Sequence, residues 1–497
     1  MHITPSLEEF KRLAHNYSHI PLLCELCGDF DTPVSLYTKI RKKSSYSFLL
    51  ESAVQSGSSG RYSFIGFNPN MVIKSSGRKI SVLENGEWRT EDEEPVTYLR
   101  SVMARYSIPK LKDAPPFIGG LVGYIAYDAI RIFERIPDSA EDDLHIDDFL
   151  FLLADNLIVY DHYHHSIKII SITACDNNPE STFLSGCDKI VSISQMLKKS
   201  IESNYNGFEV DKHDKLTITP NMTPSVFMKN VQVAKEYIAA GDIFQIVLSQ
   251  RFSVPIRCDG FDIYRRLRSM NPSPYMFYFH CNDTIVAGSS PEVLVKCRDG
   301  IVTTRPLAGT RTRGFSGHDD HKTAEELLND EKERAEHVML VDLARNDLGR
   351  FCKYGSIQIP EFMGIERYSH VMHIVSEVTG RLENNKDSFD ILQGGFPAGT
   401  VSGAPKIRAM EIIDELEPLR RGVYAGAVGY LDFHNNMDTC IAIRTLVIKN
   451  NTAYIQAGAG IVADSVPENE YYETIHKAHV LIKAVAQAEG KTYDFGN

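Results

Sequence analysis

Short apolar stretches separated by turn residues dominate the hydrophobic pattern of this chain. Strand-length runs occur at 47–52, 62–67 and 275–280, and several successive runs are joined by turns such as Asn85-Gly86 and Asp299-Gly300. Such turns link neighbouring antiparallel strands in hairpins. Runs of strands with helices inserted between them favour an α+β fold over a doubly wound α/β fold.

Helical periodicity interrupts the strand pattern at a few places. It predicts helices over 5–20, 187–203, 225–240 and 319–345. Thr223-Pro224 combines an N-cap residue with proline at the first helical position, which marks a helix start. We therefore predict a boundary here, with an N-terminal region at 1–175, a polar connector at 176–222 and a second domain at 223–497.

Two distant segments share one glycine-bearing strand pattern. Residues 119–127 and 425–432 both contain G-x-V-G-Y-like sequence. We interpret this as a weak internal similarity and expect the two strands to pair or to stack in related sheets.

Composition and charge narrow the classes of function. The 497 residues are 43% hydrophobic and 24% charged, as in ordinary globular proteins, and the net charge of −12 argues against nucleic-acid binding. The first residues lack the apolar core of a signal peptide, and the longest apolar run, 149–160, is too short to cross a membrane. Nine scattered cysteines fit reduced thiols. We expect a cytoplasmic protein that binds neither nucleic acid nor membrane.

The first chemically unusual stretch lies near the C-terminus. Gly458-Ala459-Gly460 predicts a glycine turn after a strand, and Pro467 predicts the first turn of a helix. On that helix Glu470, Glu473 and Lys477 share one face because they are three and four residues apart. The glycines and the charged face together suit a carboxylate-bearing substrate held through a hard metal ion. The alternative is a capped surface helix with an ordinary Glu–Lys pair.

A second acidic helix has the same arrangement. Glu333 and Glu336 are three residues apart in a helical pattern. Two facing helices that both carry glutamates make an oxygen-rich site suited to Mg²⁺. Surface charge is again the alternative.

Other motifs exclude some mechanisms and leave two candidate acid/base groups. The segment 399–406 has the wrong glycine and lysine spacing for a P-loop, so we expect a tight turn before a helix that starts near Pro405. There is no G-x-S-x-G or G-x-C-x-G nucleophile elbow, hence no glutaminase within the chain. Glu292 and His373 are candidate proton donors or acceptors, and both could equally be structural.

Several longer motifs, taken in order, resemble the chorismate-utilising enzymes. They are Arg305-Pro306-Leu307-Ala308-Gly309-Thr310-Arg311, Glu336-His337 with 341–347, Phe396-Pro397-Ala398-Gly399-Thr400, and Gly458-Ala459-Gly460-Ile461-Val462. The resemblance covers 225–485 strongly and reaches the N-terminal part through Leu49-Leu50-Glu51-Ser52 and Arg61-Tyr62-Ser63-Phe64. It implies an α+β fold of mostly antiparallel sheets packed as a sandwich with helices outside.

Within that family the resemblance is to the branch that forms anthranilate. Gln245 stands where members that add water carry a lysine base, and Ala308 stands where members that make aminodeoxychorismate carry a lysine. The implied reaction is amination of chorismate at C2 by ammonia, followed by loss of pyruvate, as the first step of tryptophan synthesis. Formation of aminodeoxychorismate and a non-catalytic tryptophan-sensing subunit are the alternatives.

The resemblance also implies roles for single residues. Glu292 protonates the departing C4 hydroxyl, and His373 and Thr400 lie near the ring. Mg²⁺ is held by Glu336 and Glu473, with Glu333 and Glu470 close by. The implied substrate-binding residues are Gly309, Thr310, Tyr424, Arg444, Gly458, Ala459, Gly460 and Lys477.

Regulation and a partner follow from the same resemblance. The implied allosteric tryptophan site comprises Glu51, Ser52, Asn271, Pro274, Tyr275, Met276 and Cys440, although a buried strand edge would explain the same residues. Without a glutaminase elbow, use of glutamine needs a separate amidotransferase subunit, component II. We expect a hetero-oligomer, in the form of a heterotetramer.

Overall fold

The chain folds as an α+β protein built on two large, mostly antiparallel sheets. The structure, a computed structural model, describes residues 1–53, 60–200, 211–313, 317–367 and 371–495. The predicted fold class is confirmed. Within these ranges, no helix combines the length and apolar character needed to cross a bilayer.

The strands of the described ranges are, in chain order, β1 (Ile3–Thr4), β2 (His19–Cys27), β3 (Tyr46–Glu51), β4 (Tyr62–Phe67), β5 (Met71–Ser76), β6 (Lys79–Glu84), β7 (Glu87–Glu91), β8 (Gly120–Ile125), β9 (Phe149–Ala154), β10 (Asn156–Asp161), β11 (Ser166–Ala174), β12 (Asp211–Lys215), β13 (Thr219–Pro220), β14 (Gln245–Pro255), β15 (Tyr275–Cys281), β16 (Thr284–Ser290), β17 (Val293–Arg298), β18 (Ile301–Thr304), β19 (Leu307–Thr312), β20 (Gln358–Arg367), β21 (Val371–Arg381), β22 (Gly403–Ala404), β23 (Ala427–Asp432), β24 (Met437–Ile441), β25 (Thr445–Lys449), β26 (Thr452–Ile461) and β27 (Lys491–Thr492).

The α-helices of the same ranges are α1 (Leu7–Leu13), α2 (Pro33–Ile40), α3 (Pro95–Ala104), α4 (Ile130–Phe133), α5 (Pro179–Leu197), α6 (Pro224–Ala240), α7 (Gly260–Met270), α8 (Gly317–Asn329), α9 (Glu331–Gly349), α10 (Ser388–Gly395), α11 (Lys406–Leu416) and α12 (Pro467–Glu489).

Strands from both ends of the chain share each sheet. The first sheet runs β1-β2-β11-β10-β4-β3-β15-β16-β25-β26-β14-β13, with β22 also on β14. The second runs β19-β21-β18-β17-β24-β23-β8-β9-β5-β6-β7, with β20 also on β21. The junctions β3–β15 and β8–β23 join the N-terminal region to the rest. Both sheets therefore cross the boundaries at 175 and 222, and the division into a regulatory and a catalytic domain stays a prediction.

The two sheets pack face to face over an apolar core. One buried cluster combines Phe48 and Phe279 of the first sheet with Val72 and Val122 of the second. A second cluster packs helices α5, α7 and α12 on the other face of the first sheet. This burial of apolar faces on both sides of the sheet provides the main driving force for folding.

The internal similarity corresponds to a direct pairing. Strands β8 and β23 pair antiparallel, with Gly123 opposite Gly429. A side chain at position 123 would come within 1.9 Å of the Leu150 carbonyl oxygen of β9. Glycine is needed there because the backbones approach too closely for a Cβ atom.

The helix predictions over 225–240 and 319–345 are confirmed by α6, α8 and α9, and those over 5–20 and 187–203 are confirmed only in part. Helix α6 begins after Thr223, whose hydroxyl accepts from Val226 N, and α11 begins directly after Pro405. The predicted helix over 5–20 is confirmed only for Leu7–Leu13, because α1 ends at Leu13 and β2 begins at His19.

Proline within β2 explains why that strand was missed. Pro21 pairs with Ile172 of β11, while β1 on the other side reaches only Leu23 and Cys24. A proline without an N–H is tolerated there, at a local sheet edge.

The predicted helix over 187–203 begins earlier than expected, at Pro179 with Asn178 as its cap, and it ends at Leu197.

Candidate active site

Glu292 is the most buried acid among the predicted catalytic and metal-binding residues. It lies between β16 and β17, where its backbone oxygen accepts from Ile441 N at 3.0 Å. Its Oε1 accepts from Thr400 Oγ1 at 2.9 Å, and Thr400 sits in a 3₁₀ turn, Gly399–Val401. Burial raises the pKa of Glu292 to about 7, against the opposing effects of the Thr400 bond and the Lys477 charge. A carboxyl group that stays protonated near neutral pH can donate a proton.

His373 lies on β21 beside the strand that carries Gly309. Its Nδ1 is 3.0 Å from the Gly309 carbonyl oxygen, so Nδ1 carries a proton in that contact. Burial lowers the pKa of His373, which keeps the ring neutral and leaves Nε2 as an acceptor. Thr310 pairs with His373 through its backbone, while its side chain lies outside the described part of the chain.

The glycines at 458 and 460 lie within strand β26. The predicted glycine turn is wrong, because the strand continues to Ile461 and pairs with β14 throughout. The partner strand β25 reaches only Ile455, so 456–461 have a strand on one side alone within the described sheet. The glycines are required for a different reason. A Cβ at position 458 would lie 2.6 Å from the Tyr424 hydroxyl, and one at 460 would lie 3.0 Å from Gln245 Nε2.

Two cationic side chains, Lys477 and Arg444, flank this strand, and within the described ranges only Lys477 forms an ion pair. Lys477 Nζ donates to the Gly458 carbonyl at 2.9 Å and pairs with Glu473 at 2.5 Å. Arg444 has a backbone φ of 50° and forms no ion pair within the described ranges. Burial lowers the pKa of the Arg444 guanidinium, and the nearby Tyr424 and Glu473 oppose that effect. A half-buried guanidinium without a carboxylate partner suits a carboxylate ligand.

The two acidic helices both face this region. From α9, Glu336 approaches Gln245 at 3.5 Å and Glu333 pairs with Arg311 at 2.9 Å. From α12 come Glu473, paired with Lys477, and Glu470. Among the described residues, no three His, Cys, Asp or Glu side chains are gathered into a metal-binding cluster. Two of the four carboxylates, Glu333 and Glu473, form ion pairs with basic side chains rather than gathering around one point.

The electrostatics of these carboxylates nevertheless fit a divalent cation. Burial, and then the charge of Glu333, raises the pKa of Glu336, and Glu473 adds to the effect. Burial is also the main cause of the raised pKa of Glu470, and the charge of Glu473 contributes. Like charges thus converge from both helices, and oxygen ligands of this kind suit Mg²⁺.

Most of the predicted regulatory residues line a second space, between the two sheets. A cavity of about 770 Å³ is bordered by Glu51, Ser52, Pro274, Tyr275, Met276 and Cys440. Asn271 lies beside it and donates to Ser289 Oγ at 3.2 Å. Within this cavity wall, Glu51 accepts from Tyr264 at 2.7 Å and from Arg268 at 2.9 and 3.0 Å.

Sequence reasoning missed the basic partner of Glu51 and a buried ion pair behind the glycine strand. Arg268 comes from α7, far along the chain from the Ser/Gly loop after Ser52. Arg421 and Glu417 form a pair at 2.6 Å with side-chain exposures of only 2% and 5%. Their (i, i+4) spacing was visible, but such spacing is usual for exposed pairs and carried no sign of burial. The segment 399–406 forms no phosphate loop, since Lys406 binds Asp347 at 2.9 Å.

Comparison with known proteins places this geometry in one family. The model of chorismate binding enzymes matches residues 45–483. The chain is 46% identical over 489 residues to anthranilate synthase component 1 of Acetivibrio thermocellus, covering 97% of this chain and 99% of that protein. It is 45% identical over 490 residues to the protein of the same name from Aquifex aeolicus, covering 98% and 99%.

Solved structures also match the fold of this chain. The crystal structure of anthranilate synthase component I from Streptococcus pneumoniae matches with a TM-score of 0.77 and 39% identity, over 86% of this chain and 93% of that one. The menaquinone-specific isochorismate synthase of Escherichia coli matches with a TM-score of 0.69 over 96% and 98% of the two chains. At 18% identity, the second match speaks for the fold alone.

Proposed function

The chain belongs to the family of chorismate binding enzymes, and from this premise we propose that it catalyses the anthranilate synthase reaction. Chorismate is aminated at C2 with ammonia, loses its C4 hydroxyl, and then loses pyruvate to leave anthranilate. The identity of 43–46% to proteins named anthranilate synthase component 1, along nearly the whole chain, supports this proposal.

The observation that carries the choice of nucleophile is the position of Gln245. Its amide lies against Gly460 and 3.5 Å from Glu336, where water-adding family members carry a lysine base. Ala308 on β19 likewise offers no amine. Because both lysines are absent, the family resemblance implies that the attacking group is free ammonia.

Glu292 supplies the proton that the first step needs. Hydroxide is a poor leaving group, and a neutral carboxyl beside C4 turns it into water. The pKa of about 7 keeps a large fraction of Glu292 protonated at neutral pH. Thr400 orients the carboxyl through its hydrogen bond.

The second step is a loss of a ring proton coupled to loss of the enolpyruvyl group. The bond from C2 to hydrogen breaks, its electron pair enters the ring, and the bond from the ring to the ether oxygen breaks. The side chain leaves as the enolate of pyruvate, which becomes pyruvate when its methylene carbon takes up a proton. Neutral His373 has the tautomer to accept that proton at Nε2.

Substrate carboxylates are held by Arg444 and by the β26 strand. Arg444 contributes a bidentate fork, and Lys477, already bound to Gly458, adds a positive charge beside the strand. Glu336 and Glu473, with Glu333 and Glu470 nearby, would hold Mg²⁺, which when bound neutralises the ring carboxylate. Gly309, Thr310, Tyr424 and Ala459 complete the proposed substrate site.

We propose that the cavity between the sheets is the feedback site for tryptophan. Its volume of about 770 Å³ lies within the range of small-molecule sites, and its walls combine apolar side chains with the Glu51 carboxylate. Glu51 suits an ammonium group, while Pro274 and Met276 suit an indole ring.

The proposal includes a partner that supplies ammonia. Relatives are named component 1, which implies a second component. A glutamine amidotransferase subunit in a heterotetramer would deliver ammonia in the cytoplasm, where the nine free cysteines fit a reducing environment.

One assay tests the proposal. The purified chain is given chorismate, Mg²⁺ and ammonium at alkaline pH, where more ammonia is unprotonated, and products are separated by chromatography. Anthranilate and pyruvate in equal amounts are expected. Aminodeoxychorismate without pyruvate would show the other amination reaction, and no turnover would leave a sensor subunit as the better description.

A further inference from the structure

The buried guanidinium of Arg421 lies behind the candidate active site. Its side chain is 2% exposed and is fixed by Glu417, with Nε to Oε2 at 2.8 Å and Nη2 to Oε1 at 2.6 Å. This is a bidentate pair, which fixes the plane of the guanidinium as well as its position. Neither residue belongs to the predicted substrate or metal sets.

The remaining donors of Arg421 bind two backbone segments of the site. Nη1 donates to the Val401 carbonyl at 2.8 Å, and Nη2 donates to the Val247 carbonyl at 2.7 Å. Val401 follows Thr400, the residue that hydrogen-bonds Glu292. Val247 lies on β14 directly opposite Gly460.

Glu417 extends the connection along the same strand. Its Oε1 accepts from both the backbone N and the Oγ of Ser249, at 2.7 and 2.9 Å. Ser249 lies opposite Gly458 in the β14–β26 register. The pair therefore holds β14 at the two positions that face the two glycines.

Aromatic rings close the arrangement on the other side. The Arg421 guanidinium lies 4.6 Å from the ring centre of Tyr127 and 5.7 Å from that of Tyr424. Tyr424 in turn places its hydroxyl against Gly458. Cation–π contacts at these distances are favourable when desolvated.

We propose that the Arg421–Glu417 pair is a positioning device that sets the Thr400 turn, the glycine strand and Tyr424 relative to one another. Arg421 is not among the proposed substrate-binding residues and would act through these three neighbours. An ion pair whose only purpose was stability would be weakly justified here, since replacing a buried pair by apolar side chains is often neutral or stabilising. This inference rests on the proposed function for its kinetic consequences and on the observed contacts for the geometry of Glu292.

The test compares Arg421→Lys with Arg251→Lys. Lysine keeps the charge but cannot bind Glu417 in a bidentate manner and two carbonyls at once. Arg251 is the matched control, because its side chain is 5% exposed and it lies on β14, the strand to which Arg421 is hydrogen-bonded. Arg251 binds Asp143 and the Arg420 carbonyl and has no hydrogen bond to the Thr400 turn within the described ranges. Thr400→Val provides the reference for loss of the Glu292 hydrogen bond.

The first readout needs no turnover. Infrared titration follows the carbonyl stretch of protonated Glu292, identified as the band that Glu292→Gln removes, in the substrate-free protein. The hydrogen bond from Thr400 lowers the pKa of Glu292, as does the charge of Lys477. Because Thr400→Val removes that hydrogen bond, it should raise the pKa of Glu292. Arg421→Lys should raise it in the same direction, and Arg251→Lys should leave it unchanged.

The second readout is kinetic. Displacing the Thr400 turn and the glycine strand should lower kcat for anthranilate formation about 100-fold in Arg421→Lys, with a basic limb of the kcat profile moved to higher pH. Arg251→Lys should stay within about twofold of the parent after correction for folded fraction. Equal losses in both variants with unchanged Glu292 titration would reduce Arg421 to a structural residue and overturn the proposal.

A substitute variant covers the case in which Arg421→Lys does not fold. Glu417→Gln keeps the side-chain shape, removes the charge and loosens the guanidinium, so a change in the same direction of about tenfold is expected. A Glu417→Gln protein with parental kcat and parental Glu292 titration would equally overturn the proposal. If the parent chain forms no anthranilate, the proposed function fails, and the infrared titration alone decides on Arg421.

Discussion

Glu292 and Glu51 are almost equally buried, at 9% and 8% exposure, yet their surroundings differ completely. Glu51 receives hydrogen bonds from Tyr264 and from two nitrogens of Arg268. Within the described ranges, the side chain of Glu292 accepts a hydrogen bond from Thr400 alone. One carboxylate has its negative charge compensated, and the other sits where the neutral form is favoured.

We infer from this difference that the number of donors can separate the proposed ligand-binding carboxylate, Glu51, from the proposed proton donor, Glu292. Burial disfavours the charged form of Glu292, and no cation forms an ion pair with its side chain within the described ranges, whereas Glu51 is paired with Arg268. Glu292 keeps a pKa of about 7 and therefore a proton to give. Burial alone, which is the same for both residues, would not have distinguished them.

The largest expected effect comes from removing the reacting carboxyl. Glu292→Gln should lower kcat for anthranilate formation about 1,000-fold, since a positioned general acid contributes at this level. The amide preserves shape and can still accept from Thr400, so KM for chorismate should change little. Steady-state kinetics with ammonium as nitrogen donor measure both constants.

Glu51→Gln is the matched control for that experiment. It alters an equally buried glutamate that belongs to the cavity between the sheets and not to the proposed catalytic set, and its kcat with ammonia should stay within about twofold of the parent. Comparable losses in the two variants would mean that donor count does not identify the acid.

The second largest effect is expected at Glu473, a carboxylate of the proposed metal site that is paired with Lys477. Glu473→Gln should lower Mg²⁺-dependent turnover at least about 100-fold and weaken Mg²⁺ binding, as measured by calorimetric titration. Glu468→Gln is the control, because Glu468 is exposed in the first turn of the same helix. Near-normal activity and metal affinity in Glu473→Gln would remove this residue from the proposed metal site.

The sequence predicted most of the elements around this site but not their connections. The capping signals at Thr223-Pro224 and Pro467 located α6 and α12, because caps act locally. The predicted turn at 458–460 was wrong. The glycines are needed there because Tyr424 and Gln245, which are distant in sequence, pack against the strand.

Long-range partners account for the other misses. Arg268 and Arg421 are ordinary arginines in the sequence, and only tertiary packing brings them to Glu51 and to Val401. Apart from the pairing of β8 with β23, which the shared glycine pattern suggested, the mixing of N- and C-terminal strands was not predicted, because strand order depends on pairing across hundreds of residues.

A third effect is on stability. The pKa of Glu292 is raised from 4.5 to about 7 on folding, so the folded state binds this proton more tightly than the unfolded state. Its stabilising contribution is complete below pH 4.5 and is lost as the pH rises through 7. Relative to Glu292→Gln, the parent should lose about 3 kcal/mol of unfolding free energy between pH 4.5 and 8. Urea denaturation across this range measures the difference, and a constant difference would contradict a buried neutral carboxyl.

The smallest effect tests the compensated carboxylate. Glu51→Gln should weaken inhibition by tryptophan about tenfold, because the loss of a charged hydrogen-bond partner costs about 1.5 kcal/mol or more. The Arg268 side chain is 40% exposed and can turn to water, so the fold should survive the change. Inhibition curves with ammonium as substrate give the constant without a contribution from the partner subunit. Unchanged inhibition, together with tryptophan binding at parental affinity, would place the regulatory ligand away from Glu51 and would leave this carboxylate with the purely structural task of joining β3 to α7.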